Sequence, residues 1–440
     1  PLFSDGMRIY SDSKVSRFFS SVTKEQTTGF LDDWNRRRDH TQRIYISYDS
    51  SNKNCSAGDI DLIEYGKAKD NKGIPIFNLA IAFDKSNRVP LFYEEYPGSI
   101  TDVSQFVHMV DKVTEYGYKK VGFILDRGYF SKDNIRYMEE GGYAFVIMVK
   151  GRKALVSSLV LENRGTFETD RDHSIRSCHV YGKTVKARLY EDDTKDRYFH
   201  IYFNPSKHAA EREHFEQTLD RIKIYLEKHI GDVITSSKVC QEYFVLKFDK
   251  SGRLASYTER KDVIRRELDL CGYFCIVTSE EMTASQALIH YKGRDVSEKL
   301  FSADKSFIGS KSMRVQTAQS LSAKIFVEFI ALIVRTRMYN LLKETMLRLE
   351  SKPNYMTVPA ALRELEKIEM VKQHSNGHYR LDHAVTKKQK TILSAFGLSD
   401  IDVKSMAIKI DNQLSGSPVP ADEPTEEDDD YGEDTFDIID

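Results

Sequence analysis

The chain has 440 residues, 40% of them hydrophobic and 30% charged, which fits a globular protein of roughly two or three domains with at least one large core. Its most apolar run, IFVEFIALIV (Ile325–Val334), is too short to cross a bilayer and carries Glu328 in its middle, so it reads as a buried helix and not a membrane span. The net charge of −2 hides an asymmetry: residues 421–440 hold 11 acids and no Lys or Arg, leaving 56 acids against 65 bases in the body. A basic body suits a polyanionic partner, with the acidic tail either an internal competitor for it or simply a solvated end.

Residues 1–43 read as a polar helical region ending in FLDDWNRRRDH, which holds the single tryptophan, Trp34. The pattern then turns to strands. RIYISYD (Arg43–Asp49), IPIFNLAIAFD (Ile74–Asp84) and RVPLFYEEY (Arg88–Tyr96) are strand-like, the last two joined by the short turn KSN as a hairpin. Thr101–Gly117 has helical spacing and a Gly stop, Lys119–Asp126 is a buried strand, Ser131–Gly142 a short capped helix and Tyr143–Lys150 another buried strand. Antiparallel strands followed by helix-linked strands predict an α/β fold with a mixed sheet flanked by helices, residues 44–150 being its first part.

Residues 151–278 break this rhythm. TVKARLYED, RYFHIYFN, EYFVLKFD and YFCIVTS are strand-like, with one charged helix at Lys207–His229, so the segment reads as a mostly β insertion. Residues 279–350 turn helical and would return the chain to the core. Residues 351–411 read as a helix and a small strand, a winged or docking element, and 412–440 as a disordered acidic tail. The five cysteines (Cys55, Cys178, Cys240, Cys271, Cys275) are odd in number and scattered, which argues for a reducing compartment and against a disulfide framework. Cys271 and Cys275 read better as buried thiols than as zinc ligands. The chain opens on Pro1 with no signal-peptide pattern, as a processed chain or a piece of a longer one would.

Two acids stand out. Asp49 and Asp126 each end an apolar strand, where a carboxylate is costly unless neutralised. If the two strands are neighbours, the carboxylates lie close enough to share a proton or a cation, and an all-oxygen site favours Mg²⁺ or Mn²⁺. Asp59, Asp61 and Glu64 lie in a polar stretch, and Asp84 precedes a turn; neither position suggests a ligand. Further on, YKGRDVSEKLFSADK places Tyr291, Arg294, Glu298 and Lys305 within about 60° of one another on a helical wheel. That stripe suits a phosphodiester track with a third carboxylate; common charges at chance spacing on an exposed helix are the plain alternative, and Gly293 weakens the helix.

Strand, strand and helix carrying Asp, Asp and Glu resemble the DDE transposases of bacterial insertion sequences. Tyr291, Arg294, Glu298 and Lys305 spell the Y-(2)-R-(3)-E-(6)-K signature of the insertion sequence four superfamily, and YDSSNKN, LDRGYFS and IFVEFIALIV are similar to that group. The resemblance spans about Ile44 to Leu342. It implies an RNase H-like sheet interrupted by the insertion. It also implies two Mg²⁺ ions, replaceable by Mn²⁺, held by Asp49, Asp126 and Glu298. Tyr291, Arg294, Lys305 and Arg127 would contact DNA phosphates. The implied activity is cleavage at transposon ends and strand transfer into target DNA, by a homodimer on double-stranded DNA, in the bacterial cytoplasm at the nucleoid and away from membranes. An RNase H-like nuclease, or a truncated or repurposed transposase that binds without cutting, are the alternatives. Two features depart from the group. Ser297 stands where an apolar residue is usual, and the insertion has no Trp to stack on a flipped base, for which Tyr202, Phe203 or Tyr243 would substitute.

Overall fold

Two helices, α1 (Asp12–Ser21) and α2 (Lys24–Arg36), precede the sheet. Thr23 and Gln26 cap α2 reciprocally, each side chain accepting the other's backbone N–H. The computed structural model describes residues 11–57, 60–68, 73–150, 153–235, 238–294, 312–373 and 377–415. Strands β1 (Ile44–Cys55), β2 (Ile76–Asp84) and β3 (Val89–Pro97) form an antiparallel meander. Asp84 is a turn residue: its carboxylate accepts from the backbone N–H groups of Ser86 (2.8 Å) and Asn87 (3.1 Å) and from the Asn87 side chain (2.6 Å). Helices α3 (Asp102–Glu115) and α4 (Lys132–Glu140) carry the chain across to β4 (Val121–Leu125) and β5 (Ala144–Met148), paired parallel to β1 and to β4. The strand order β3-β2-β1-β4-β5 is the RNase H-like one, within a mixed sheet flanked by helices.

The first strand is longer than its sequence suggests. The strand-like run ends at Asp49, but β2 accompanies β1 as far as Asn54↔Ile76. Backbone pairing there outweighs the weak strand propensity of SSNKN. The side chains of Asn52, Asn54 and Asn78 then donate to the carbonyls of Lys67, Ile74, Pro97 and Ile100, tying the adjoining loops to the sheet. The outer edge of β3 is covered as well. Trp34 Nε1, Asn35 Nδ2 and Lys112 Nζ donate to the carbonyls of Pro90 (2.9 Å), Leu91 (3.0 Å) and Tyr93 (3.1 Å).

Past β5 come α5 (Lys153–Asn163), β6 (Ser174–Ile175), β7 (Val180–Ala187), β8 (Arg197–Phe203) and α6 (Pro205–Lys228). They are followed by α7 (Lys238–Tyr243), β9 (Phe244–Phe248), β10 (Leu254–Glu259), α8 (Lys261–Leu270) and β11 (Tyr273–Thr278). Antiparallel pairing of β11 with β5 continues the same sheet through β8, β7 and β6. Among its described residues the segment holds three α-helices beyond the charged one expected. The Val- and Leu-rich α5 looks strand-like in isolation, and α8 is polar but strongly amphipathic, burying Ile264. Helix α6, the hairpin β9–β10 and α8 share a separate apolar cluster of Leu219, Leu226, Phe244, Leu254 and Ile264.

Helix α9 (Ala284–Lys292), with a Thr283–Gln286 capping box, lies on one face of the sheet. Its Ala284, Leu288 and Tyr291 pack with Ile124, Val146, Tyr202 and Ile276 from four strands. Gly182 of β7 permits this seat, since a Cβ there would come within 2.9 Å of both the Ala284 Cβ and the Tyr202 ring. Strand β12 (Ser312–Met313) pairs parallel with the end of β1. The helix containing IFVEFIALIV, α10 (Ala318–Arg348), follows it.

The described chain divides into two compact units, one of Ser16–Thr336 and a second that takes in the chain from Arg337 onward. In the second, Leu342, Met356, Val358, Ala361, Ile392 and Ala395 form the core. Around it lie helices Val358–Leu365, Lys387–Ala395 and Asp400–Ser415 and a hairpin of Met370–Lys372 with Tyr379–Leu381. No described helix is long and apolar enough to cross a membrane.

Candidate active site

The last paired residues of β1 and β4 are Tyr48 and Leu125, so the next residues, Asp49 and Asp126, stand at one level on adjacent parallel strands. Such strands lie about 4.8 Å apart. Asp126 is still extended (φ −71°, ψ 158°), and side chains alternate along a strand. Both carboxylates therefore project on the face shared by Ser47 and Ile124, and Ile124 is in the cluster beneath α9. The parallel crossover, which brings β4 beside β1, converts two acids 77 positions apart into a pair.

Asp126 is the focus of the site. Its Oδ1 accepts the backbone N–H of Arg127 at 2.8 Å and the Tyr291 hydroxyl at 3.4 Å, and lies 3.7 Å from Arg294 Nη1. Its Oδ2 takes no hydrogen bond from any described residue. The Arg294 guanidinium also lies 5.5 Å from the centre of the Tyr291 ring. Burial, aided by the Asp126 charge and opposed by Arg294, pushes the Tyr291 phenol up to about 12, so it stays a donor at neutral pH. Arg127 is exposed and its charge also acts on Tyr291. Asp49 Oδ1 accepts the backbone N–H of Ser50 at 3.0 Å. The structure thus gathers Asp126, Arg127, Tyr291 and Arg294 in one set, with Asp49 at the same level on the next strand.

The single helix expected through YKGRDVSEKLFSADK does not form through Gly293. Helix α9 stops at Lys292, Gly293 caps it, and Arg294 follows in a turn, its N–H bonded to the Tyr291 carbonyl at 3.1 Å. Glu298 and Lys305 lie outside the described residues. Among the described residues no group of three or more His, Cys, Asp or Glu side chains could hold a metal ion. The two aspartates nevertheless suit a hard divalent cation: they offer oxygen donors from one face, and Oδ2 of Asp126 is uncommitted among the described residues.

The aromatic residues expected to stack on a base are otherwise engaged. Tyr202 is fully buried and donates to the Ala284 carbonyl at 2.8 Å. Phe203 packs against Tyr273, and Tyr243 meets Phe215 edge-on in the α6 cluster. The five cysteines are all free thiols and four of them are buried.

Two features near the site went unread in the sequence. Lys53, on the Asp49 face of β1, is fully buried and pairs with Glu328 of α10 at 2.7 Å. A lone acid in an apolar helix was the available signal, because it needs a partner. Lys85, in the turn after β2, reaches the end of α9, donating to the Ile289 carbonyl at 3.0 Å and that of His290 at 3.3 Å. Nothing local marks that contact, which joins residues more than 200 positions apart.

No curated protein matches the sequence. Among solved structures, a cryo-EM piggyBac transposase synaptic complex with hairpin DNA aligns with 88% of this chain at 8% identity and a TM-score of 0.37. The chain spans 60% of the length of that one. A Mos1 transposase paired-end complex with left transposon end aligns with 33% of this chain and 46% of its own, at 13% identity and a TM-score of 0.18. A Drosophila P element transposase strand transfer complex aligns with 93% and 82%, at 11% identity and a TM-score of 0.16. Residues 37–334 match the family described as the transposase DDE domain, which takes in both aspartates, the tyrosine and the arginine just described, and the chain belongs to that family.

Proposed function

We propose that this chain is an active DNA transposase of the insertion sequence four branch, cutting phosphodiester bonds at transposon ends and joining the freed 3′ hydroxyl to target DNA. The observation that carries this reading is the convergence of Tyr291 and Arg294, the first half of the signature, on Asp126, with Asp49 level with it on the neighbouring strand. Asp49 and Asp126 would hold the metal, with Glu298 as the third carboxylate. Mg²⁺ or Mn²⁺ held by them would supply Lewis acidity for phosphodiester chemistry.

The chain's own residues supply the rest. Tyr291 and Arg294 direct their donors at Asp126. An arriving phosphate would compete for them, and Arg127, exposed beside the same carboxylate, would add a third donor. Lys305 would extend this contact along the backbone. Double-stranded DNA is then the partner, a dimer would pair two ends, and the bacterial cytoplasm is the setting that the free thiols favour.

Nicking of supercoiled plasmid with Mn²⁺ or Mg²⁺, full chain beside Asp126→Asn and Asp49→Asn, tests the reading. Metal-dependent nicking should fall at least about a hundredfold in each variant, with thermal stability and DNA binding kept. Equal nicking by wild type and variants would sink it. DNA binding by a wild type that never nicks would favour a binding protein, and nicking without joining of a supplied 3′ end would favour a nuclease.

A further inference from the structure

The turn between β2 and β3 does more than reverse the chain. Lys85 leaves it and runs to the carboxyl end of α9, where Nζ lies within 3.0–3.4 Å of the Ile289 carbonyl, the His290 carbonyl and His290 Nδ1. Those carbonyls lie in the last turn of the helix, where a cation is favoured by the helix dipole. Among the described residues no carboxylate lies within ion-pairing distance of Lys85, so the helix end is its partner.

Gly293 completes the arrangement. Its backbone is ordinary right-handed helix (φ −60°, ψ −16°), so no conformational demand requires glycine. A Cβ there would instead lie 2.2 Å from Lys85 Cε and 2.7 Å from both Cδ and Nζ. The glycine leaves room for the lysine stem, directly before Arg294. The Tyr45 ring packs on His290 with centroids 4.5 Å apart, and the backbone N–H of Lys85 donates to the Tyr45 carbonyl at 2.9 Å. The end of α9 is thereby tied to β1, the strand of Asp49.

We propose that Lys85 is a positioning residue for the reaction: by capping α9 in the space left by Gly293, it fixes the Tyr291–Arg294 turn against Asp126. The role of the site in cleavage rests on the function proposed above; the cap itself does not. Half-burial pushes the Lys85 ammonium down to about 8, yet it remains mostly charged at neutral pH, as a cap at a helix carboxyl end requires. The consequence is geometric. Without the cap the last turn of α9 frays, and the two donors on Asp126 lose their fixed approach.

Hydrogen exchange and plasmid nicking on the full chain test this together, in wild type, Lys85→Met and Lys85→Arg. In Lys85→Met the amides of Gly293 and Arg294 should exchange about tenfold faster, with β4 and β5 unchanged. Nicking should lose about tenfold in kcat with little change in KM for DNA, and Lys85→Arg should restore most of both. Unchanged exchange and unchanged kcat in Lys85→Met would overturn the proposal. So would equal losses in Met and Arg, which would make Lys85 mere packing. If Lys85→Met unfolds, Gly293→Ala decides, since the crowded stem should give the same local fraying and wild-type exchange there would count against the cap. A wild type that does not nick would count against the transposase reading alone, because the exchange comparison still judges the lysine.

Discussion

Asp126 gathers three donors on one oxygen, and this follows from its position. Asp126 begins a tight turn whose first N–H returns to its own side chain, whereas Asp49 sits within a continuing strand. Four residues along the same strand, Lys53 carries a charge into the core, where Glu328 meets it. Removing one member of such a buried pair takes away the attraction that offset the burial of both. Lys53→Met should cost about 3–5 kcal/mol, and adding Glu328→Leu should return most of it, because two apolar side chains can replace a buried pair. Urea unfolding of the single and double variants measures this; a double variant no more stable than the single one would mean that the ion pair is not what holds α10 to β1. At this scale the sequence was most legible where chemistry is local. Strand-end aspartates after apolar runs, and an aspartate before a turn, declare themselves. Lys53 and Lys85 look like ordinary surface lysines, because the partners that bury them come from over 200 residues away.

At the scale of elements, α9 owes its position to what lies beneath it. Two small residues meet there, Gly182 on β7 and Ala284 at the helix start, and Leu288 and Tyr291 continue the contact toward β4. Gly182→Val tests the seat. Valine suits a strand better than glycine, so propensity alone predicts a gain, whereas the crowding predicts a loss of about 1–3 kcal/mol. A rise in the urea midpoint would show that the helix yields without cost. The periodic core strands β2, β4 and β5 were readable because they are short, apolar and bounded by turn residues. Helices α5 and α8 were not, the first because an apolar Val- and Leu-rich run has no helical signature, the second because its apolar stripe is narrow. The break of the signature helix at Gly293 was foreshadowed by the glycine itself, but the reason for glycine, a lysine stem from another turn, was not.

Over the whole molecule, one sheet passes from β3 to β6 through strands drawn from both sides of the second aspartate, so the strands after β5 continue the sheet that carries the aspartate pair. Sequence periodicity showed β8, β11 and the second half of β7 but not β6, and none of their partners, because pairing across a long connection leaves no local mark. Charge distribution, by contrast, was legible at once. The helix Asp400–Ser415 runs past Asn412, so a deletion that spares it begins at residue 416. Removing 416–440 takes away the 11 acids and no Lys or Arg. Nonspecific DNA binding should then strengthen at low salt and converge with wild type as salt rises. Identical salt titrations of the two proteins would reject a competitive tail.

The continuous sheet also sets an order of events during synthesis. Strand β5 is complete at Met148, yet its neighbour β11 begins only at Tyr273, and α9, which lies over strands from both groups, comes later still. Until then one flank of β5 has no partner, and the face that will carry Asp49 and Asp126 has no cover. Contacts this distant along the chain form late. A nascent chain therefore holds both aspartates on finished strands before Tyr291 and Arg294, which address Asp126, have left the ribosome, and this arrangement is among the last parts of the fold to close.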